Sequence, residues 1–291
     1  MQTPFPPFEP HGPEEDEHDE GRGPRLREIP FRMLVPNLIT VLAICAGLTG
    51  IRLAFENRFE LAVAMVLIAA FLDGIDGRVA RLLKAQSKFG AQMDSLADIV
   101  NFGVAPALVL YVFILDQARS FGWIAAIVFT IAAGLRLARF NVISESSTKT
   151  EWQSYYFVGV PAPAGALLVL LPIYLGFLGM PIDKTTGFIA AAYTMFIGFL
   201  LVSRVPVYSG KGISRGIRRD LVMPFILIAV VYVSLLMSFT WETLTLTAIA
   251  YLGTLPLGAR AWSRKYGPKS RAKAHHDSDE VSAGAGESKQ D

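Results

Sequence analysis

Long apolar blocks, broken at fairly regular intervals by short polar links, occupy most of the chain. They lie at roughly 34–54, 60–84, 92–114, 121–141, 161–180, 185–204, 220–238 and 242–262. Most reach the roughly 20 residues that a helix needs to cross a bilayer. The pattern predicts an all-α, polytopic membrane bundle of about eight transmembrane helices, with a six-helix core and a C-terminal helix pair. The links carry turn signals, such as Met180-Pro181-Ile182-Asp183 and Thr240-Trp241-Glu242-Thr243. The expected organisation is an acidic tail over 1–33, a membrane domain over 34–210, a basic loop with the helix pair over 211–263, and a polar tail over 264–291. Both tails are predicted to be disordered, being too polar to bury a core.

Composition sharpens this picture. Of 291 residues 52% are hydrophobic and the mean hydropathy is +0.42, more apolar than a soluble domain of this size. Cys45 is the single cysteine and lies in the first apolar block, so an intramolecular disulfide is excluded and the residue reads as a small lipid-facing group. His11, His18, His275 and His276 all fall in the tails, which argues against a histidine site within the membrane. No short basic region precedes the first block, so no secretory signal peptide is expected.

The net charge of +2 matters less than where the charges sit. Arg22, Arg25, Arg27 and Arg32 precede the first span. Arg78, Arg81, Lys84 and Lys88 lie at the junction of the second and third, Arg136, Arg139 and Lys149 at and beyond the end of the fourth, and Arg204, Lys211, Arg215, Arg218 and Arg219 at and beyond the end of the sixth. The alternate links hold only Arg52, Arg58, Arg119 and Lys184. The positive-inside rule places both termini and the basic loops on the cytoplasmic side of a cytoplasmic membrane. Those loops either set topology alone or also attract anionic lipid head groups. No nucleic-acid partner is expected.

The chemistry concentrates where span two ends and span three begins. Asp73 and Asp76 are three apart, Asp94 and Asp98 four apart, so each pair shares a helix face. A short link makes the two helices antiparallel neighbours, and the pairs can meet near the cytoplasmic interface. An aspartate at the centre of a span costs about 2.5–3.5 kcal/mol, so something must offset four of them. Oxygen-only ligands suit Mg²⁺ or Mn²⁺ rather than Zn²⁺, and two divalent ions would balance the charge. Gly77 and Gly90 stand four residues from Asp73 and Asp94 and clear space on the carboxylate faces. Ala80 continues that face, and Arg81 beside it suits a phosphate oxygen. Three roles fit this spacing: metal-assisted phosphoryl chemistry, an ion or proton relay in a transporter, and structural pairing with Arg78, Arg81, Arg136 and Arg139. Ser209-Gly210-Lys211-Gly212 lacks the full phosphate-loop pattern and reads as an interfacial basic loop.

The string Asp73-x2-Asp76-Gly77-x2-Ala80-Arg81-x8-Gly90-x3-Asp94-x3-Asp98 resembles, without a departure, the signature of the CDP-alcohol phosphatidyltransferase family. The resemblance implies a helical, usually dimeric membrane enzyme, in which an alcohol hydroxyl displaces CMP from a CDP-linked lipid. It implies metal ligands at Asp73, Asp76 and Asp94, and a general base at Asp98 that also touches a metal. It implies a CDP-lipid pocket formed by Asp73, Gly77, Ala80, Arg81 and Gly90.

Four further stretches resemble the membrane-embedded phosphatidylserine synthases within that family. They are Asn101–Ala107, Arg136–Asn141, Phe157–Ala164 and Ser203–Pro206. This narrower resemblance implies CDP-diacylglycerol as donor and L-serine as acceptor. Asn101, three residues past Asp98, and Arg136 and Arg139, at the cytoplasmic end of span four, are candidates for the acceptor site. The arginines equally suit topology and interfacial snorkelling. The alternatives are another alcohol (glycerol 3-phosphate, an inositol phosphate or choline) and an ion-coupled transporter.

Overall fold

The computed structural model describes residues 31–145, 156–203, 206–208 and 219–266. Residues 31–33 and 264–266, expected in the disordered tails, are helical; the rest of the tails, their four histidines and the Ser209–Gly212 loop lie outside the described residues.

Eight helical rods stand where eight apolar blocks were predicted. They are α1 (Phe31–Phe55), α2 (Phe59–Leu82), a third rod made of α3 (Lys88–Asp98) and α4 (Ala105–Phe113), α5 (Ser120–Glu145), a broken rod of α6 (Ala162–Val169) and α7 (Leu171–Phe177), α8 (Lys184–Val202), α9 (Arg219–Ser238) and α10 (Thr240–Tyr266). Four of the rods, over Leu34–Phe55, Lys88–Phe113, Ser120–Ile143 and Lys184–Val202, are long and apolar enough to cross a bilayer. Ala162–Phe177 and Val222–Ser238 are shorter apolar segments. The protein is a multi-pass helical membrane protein.

Local chemistry explains where the rods depart from a simple reading of the blocks. The third rod begins at Lys88, four residues before the apolar block suggested, because Ser87 caps it: its hydroxyl accepts the Gly90 amide at 3.0 Å. Between α3 and α4 the backbone takes a π-helical turn over Ile99–Val104. The fifth rod breaks at Leu170, where Pro172 withholds an amide. The Tyr174 and Tyr193 hydroxyls donate to the Leu167 and Leu168 carbonyls beside the break, at 3.2 and 2.8 Å. Such compensation matters where no water is at hand. Two three-residue strands, β1 (Tyr156–Val158) and β2 (Pro206–Tyr208), pair antiparallel just outside the helices. The helical reading did not anticipate them.

The bundle packs through small residues. A Cβ on Gly50 of α1 would lie 3.0 Å from the Ala62 carbonyl oxygen of α2, and a Cβ on Gly165 of α6 would lie 2.6 Å from Leu201 Cδ2 of α8. Close approach of this kind is how membrane helices gain packing energy without a hydrophobic drive. The buried core lies around α4, α5, α7 and α8, with Leu110, Phe129, Tyr174 and Ile197 almost wholly enclosed. Cys45 is free and exposed on α1, as expected of a lipid-facing residue. The side chains of α9 are exposed from Val222 to Leu235, and α10 connects it to the bundle by packing against α7.

Candidate active site

Helices α2 and α3 run antiparallel, joined by residues 83–87, and α1 packs along both. This arrangement gathers the predicted aspartates. One carboxylate oxygen from each of Asp73, Asp76 and Asp94 lies within 4.8 Å of the others. The fourth, Asp98, meets Asp73 side chain to side chain. Asp76 is almost fully buried. Its Oδ1 accepts the Gly77 amide and its Oδ2 accepts the Thr40 hydroxyl of α1 at 2.7 Å. Asp73 Oδ1 is buried with no hydrogen-bond partner among the described residues.

Among the described residues no arginine or lysine offsets these charges at contact distance. Among the described residues the ion pairs are Arg52–Glu56 at 2.8 Å and Arg58–Glu56 at 3.9 Å, both at the far end of α1. Structural pairing of the aspartates with arginines therefore lacks support. Two ionised carboxylates 4.8 Å apart repel by roughly 3 kcal/mol at an effective dielectric of 20, and three pairs add. An all-oxygen cluster with an orphaned buried acceptor fits a hard divalent cation.

Beside the cluster lies a cavity of about 300 Å³, walled by α1, the ends of α2 and α3, and their link. Gly77, Ala80, Arg81 and Gly90 all line it, with Asp76 and Asp94 at its inner side. Among the described residues, and apart from the adjoining backbone of its own helix, nothing lies within 4 Å of a Cβ built on Gly77, so the space beside it is open. Gly90 is different: a Cβ there would come 2.9 Å from Asn37 Oδ1 and 3.1 Å from Ser87 Oγ. Asp73 is not part of the cavity wall and belongs to the carboxylate cluster behind it.

The three tentative acceptor residues are placed differently from one another. Arg136 is 9% exposed, donates from Nε to the Val160 carbonyl at 2.9 Å and feels the charge of Asp98. Arg139 donates from Nη1 to the Val202 carbonyl at 2.9 Å, at the C-terminus of α8. Asn101 lies in the π turn, so the α-helical offset from Asp98 does not describe it. It is fully buried against α1, where a Cβ on Gly47 would lie 2.6 Å from its Oδ1, and both its amide atoms lack partners among the described residues.

Asn37 and Thr40 were missed from the sequence although a signal was present. They are polar residues three apart within an apolar span, hence on one helix face. Both line the cavity.

Fold and site together define a membrane-embedded helical protein with a cluster of carboxylates, compatible with a divalent metal, beside a cavity. The chain belongs to the CDP-alcohol phosphatidyltransferase family, whose model matches residues 33–203; a second model, CDP-alcohol phosphatidyltransferase 2, matches residues 220–256. Among similar proteins is a CDP-diacylglycerol–serine O-phosphatidyltransferase of Mycobacterium leprae. It is 43% identical over 189 residues, covering 63% of this chain and 61% of that protein. Proteins of the same name from Mycobacterium tuberculosis and Helicobacter pylori are 41% and 37% identical, over 66% and 59% of this chain and 66% and 70% of their own lengths. The chain thus matches just under two thirds of the mycobacterial proteins.

Proposed function

We propose that the protein transfers the phosphatidyl group of CDP-diacylglycerol to the hydroxyl of L-serine, giving phosphatidylserine and CMP. The observation that carries this reading is the grouping of Asp73, Asp76 and Asp94 beside a cavity lined by Gly77, Ala80, Arg81 and Gly90. The names of the mycobacterial and Helicobacter relatives support the choice of donor and acceptor.

In this reading Asp73, Asp76 and Asp94, with an oxygen of Asp98, would hold Mg²⁺ or Mn²⁺, two ions balancing four carboxylates, and cations held there would supply positive charge to offset that of the diphosphate and of the leaving CMP. Gly77 and Ala80 leave room for the CDP moiety, Arg81 faces a phosphate oxygen, and Gly90 lets α3 close on the pocket. Asp98 takes the serine hydroxyl proton as the new oxygen–phosphorus bond forms and the bond to CMP breaks. Arg136, Arg139 and Asn101 are assigned to the acceptor side. Positive charge in the loops supports a site and termini facing the cytoplasm, and the family resemblance supports a homodimer in the cytoplasmic membrane.

The test is an acceptor screen on purified full-length protein in lipid nanodiscs. Labelled CDP-diacylglycerol should release CMP when L-serine is added, and not with glycerol 3-phosphate, an inositol phosphate or choline. Release with glycerol 3-phosphate but not serine overturns the acceptor assignment. Release with none of them returns the transporter reading.

A further inference from the structure

The turn that joins α2 to α3 carries cations that its own fold does not ask for. From Gly77 to Met93 the chain holds Arg78, Arg81, Lys84 and Lys88 and no acid. All four side chains are exposed, and none has a hydrogen-bond or ion-pair partner among the described residues. Arg81 lines the cavity, whereas Arg78, Lys84 and Lys88 are not part of its wall.

Two of these positions are unfavourable for the local backbone. At the end of α2 the Lys84 amide donates to the Arg81 carbonyl at 3.2 Å, and the Ala85 amide donates to the Ala80 carbonyl at 2.9 Å. This paired helix ending usually places glycine at its left-handed residue. Here that residue is Lys84, at φ +49°, a conformation costly for a side chain with a Cβ. Lys88 is the first residue of α3, directly after the Ser87 cap, and no acid stands in that first turn. A cation there opposes the helix macrodipole. Topology needs net positive charge at this end of the rods, not lysine at these two places. Arg78 and Arg81, near the end of α2, already supply such charge where the dipole favours it.

Large apolar groups are interleaved with the lysines. Leu82 is 81% exposed and Phe89 69%, and neither lines the cavity. Ammonium groups beside a leucine and a phenylalanine, at the polar end of two membrane rods, match the boundary between lipid head groups and acyl chains. A free phosphate would engage the cations alone and leave Leu82 and Phe89 uncovered.

We propose that Lys84, Lys88, Leu82 and Phe89 form a docking site for an anionic phospholipid of the surrounding leaflet, on the outer side of the turn and distinct from the cavity. The head group ties the end of α2 to the start of α3, and so braces the wall that Ala85, Gln86 and Ser87 give to the cavity. The docking site is independent of the reaction assigned above.

The experiment uses full-length protein in phosphatidylcholine nanodiscs with a trace of phosphatidylglycerol that carries a photoactivatable diazirine on its head group. Mass spectrometry maps the label, so no readout requires turnover. The label should fall on residues 78–89 and be displaced by excess phosphatidylglycerol but not by inorganic phosphate. Lys84→Gln combined with Lys88→Gln should reduce it about 25-fold, at fivefold for each lysine beside an anionic head group. Lys84→Gly should reduce it about fivefold while raising Tm, because the left-handed residue is then a glycine, which separates lost binding from lost fold. Unchanged labelling in the double variant, equal labelling by a phosphatidylcholine probe, or displacement by inorganic phosphate overturns the site. Displacement by CDP-diacylglycerol but not by phosphatidylglycerol gives these cations to the donor and overturns it as well.

Discussion

The Thr40 hydroxyl of α1 lies 2.7 Å from Asp76 Oδ2 of α2, and both residues are almost fully buried. The hydroxyl also lies 3.1 Å from the Pro36 carbonyl of its own helix, but it has one proton, and the shorter contact to a charged acceptor takes it. This bond ties α1 to the carboxylate cluster and fixes which Asp76 lone pairs remain for a cation. Thr40→Val keeps the shape and removes the donor. It should weaken Mn²⁺ binding, read by electron paramagnetic resonance, and kcat/KM by about 10- to 100-fold, the usual range when a ligand's supporting bond is lost. Thr40→Ser should restore both. Wild-type Mn²⁺ affinity in the valine variant would show that Asp76 needs no such anchor.

Metal removal addresses the cluster as a whole. Chelation with EDTA should abolish CMP release, and Mg²⁺ or Mn²⁺ should restore it, whereas Zn²⁺, which prefers nitrogen and sulfur ligands, should restore it poorly. Binding should also stabilise the fold, because a cation relieves repulsion among Asp73, Asp76 and Asp94. At 100 times Kd the gain is about 2.7 kcal/mol, visible as a raised Tm. Asp73→Asn should lose most of that rise. Full turnover by the chelated protein would remove the metal site from the mechanism.

Asp98 is set apart from the other three by its neighbours. Its side chain meets that of Asp73, and the charge of Arg136 acts on it. Asp98→Asn should therefore lower kcat by about 10²- to 10⁴-fold, the range for loss of a positioned base. Binding of a non-transferable CDP-lipid, measured by calorimetry, should change little. Turnover close to wild type would assign the proton to another group.

Much of this was legible in the sequence, and the exceptions have physical causes. Apolar blocks of bilayer length marked all eight rods, since lipid permits few alternatives to a helix. The Asp73–Asp76 and Asp94–Asp98 spacings marked the cluster, because helical periodicity and a short link leave little freedom. The π turn at Ile99–Val104 was not legible: it depends on how α3 and α4 seat against α1 and α5. Pairing of Tyr156–Val158 with Pro206–Tyr208 joins segments too short to show an alternating pattern.

The two signature glycines separate room for a ligand from room for the protein itself. Gly77 and Gly90 both line the cavity, yet a methyl group at Gly77 meets, among the described residues, nothing within 4 Å beyond its own helix backbone, while one at Gly90 comes 2.9 Å from Asn37 Oδ1. Gly77→Ala should thus stabilise the fold by up to about 1 kcal/mol, the helix-propensity gain. The same methyl intrudes on the bound donor, and overfilling a fitted site costs about 1–3 kcal/mol, or roughly 5- to 100-fold in the KM for CDP-diacylglycerol. Gly90→Ala must displace Asn37 and crowd the Ser87 cap of α3, so stability and donor binding should fall together. Thermal unfolding and donor KM, measured on both variants, read the two effects separately. A Gly77→Ala protein with unchanged donor KM would mean that the CDP moiety does not pass this face of α2.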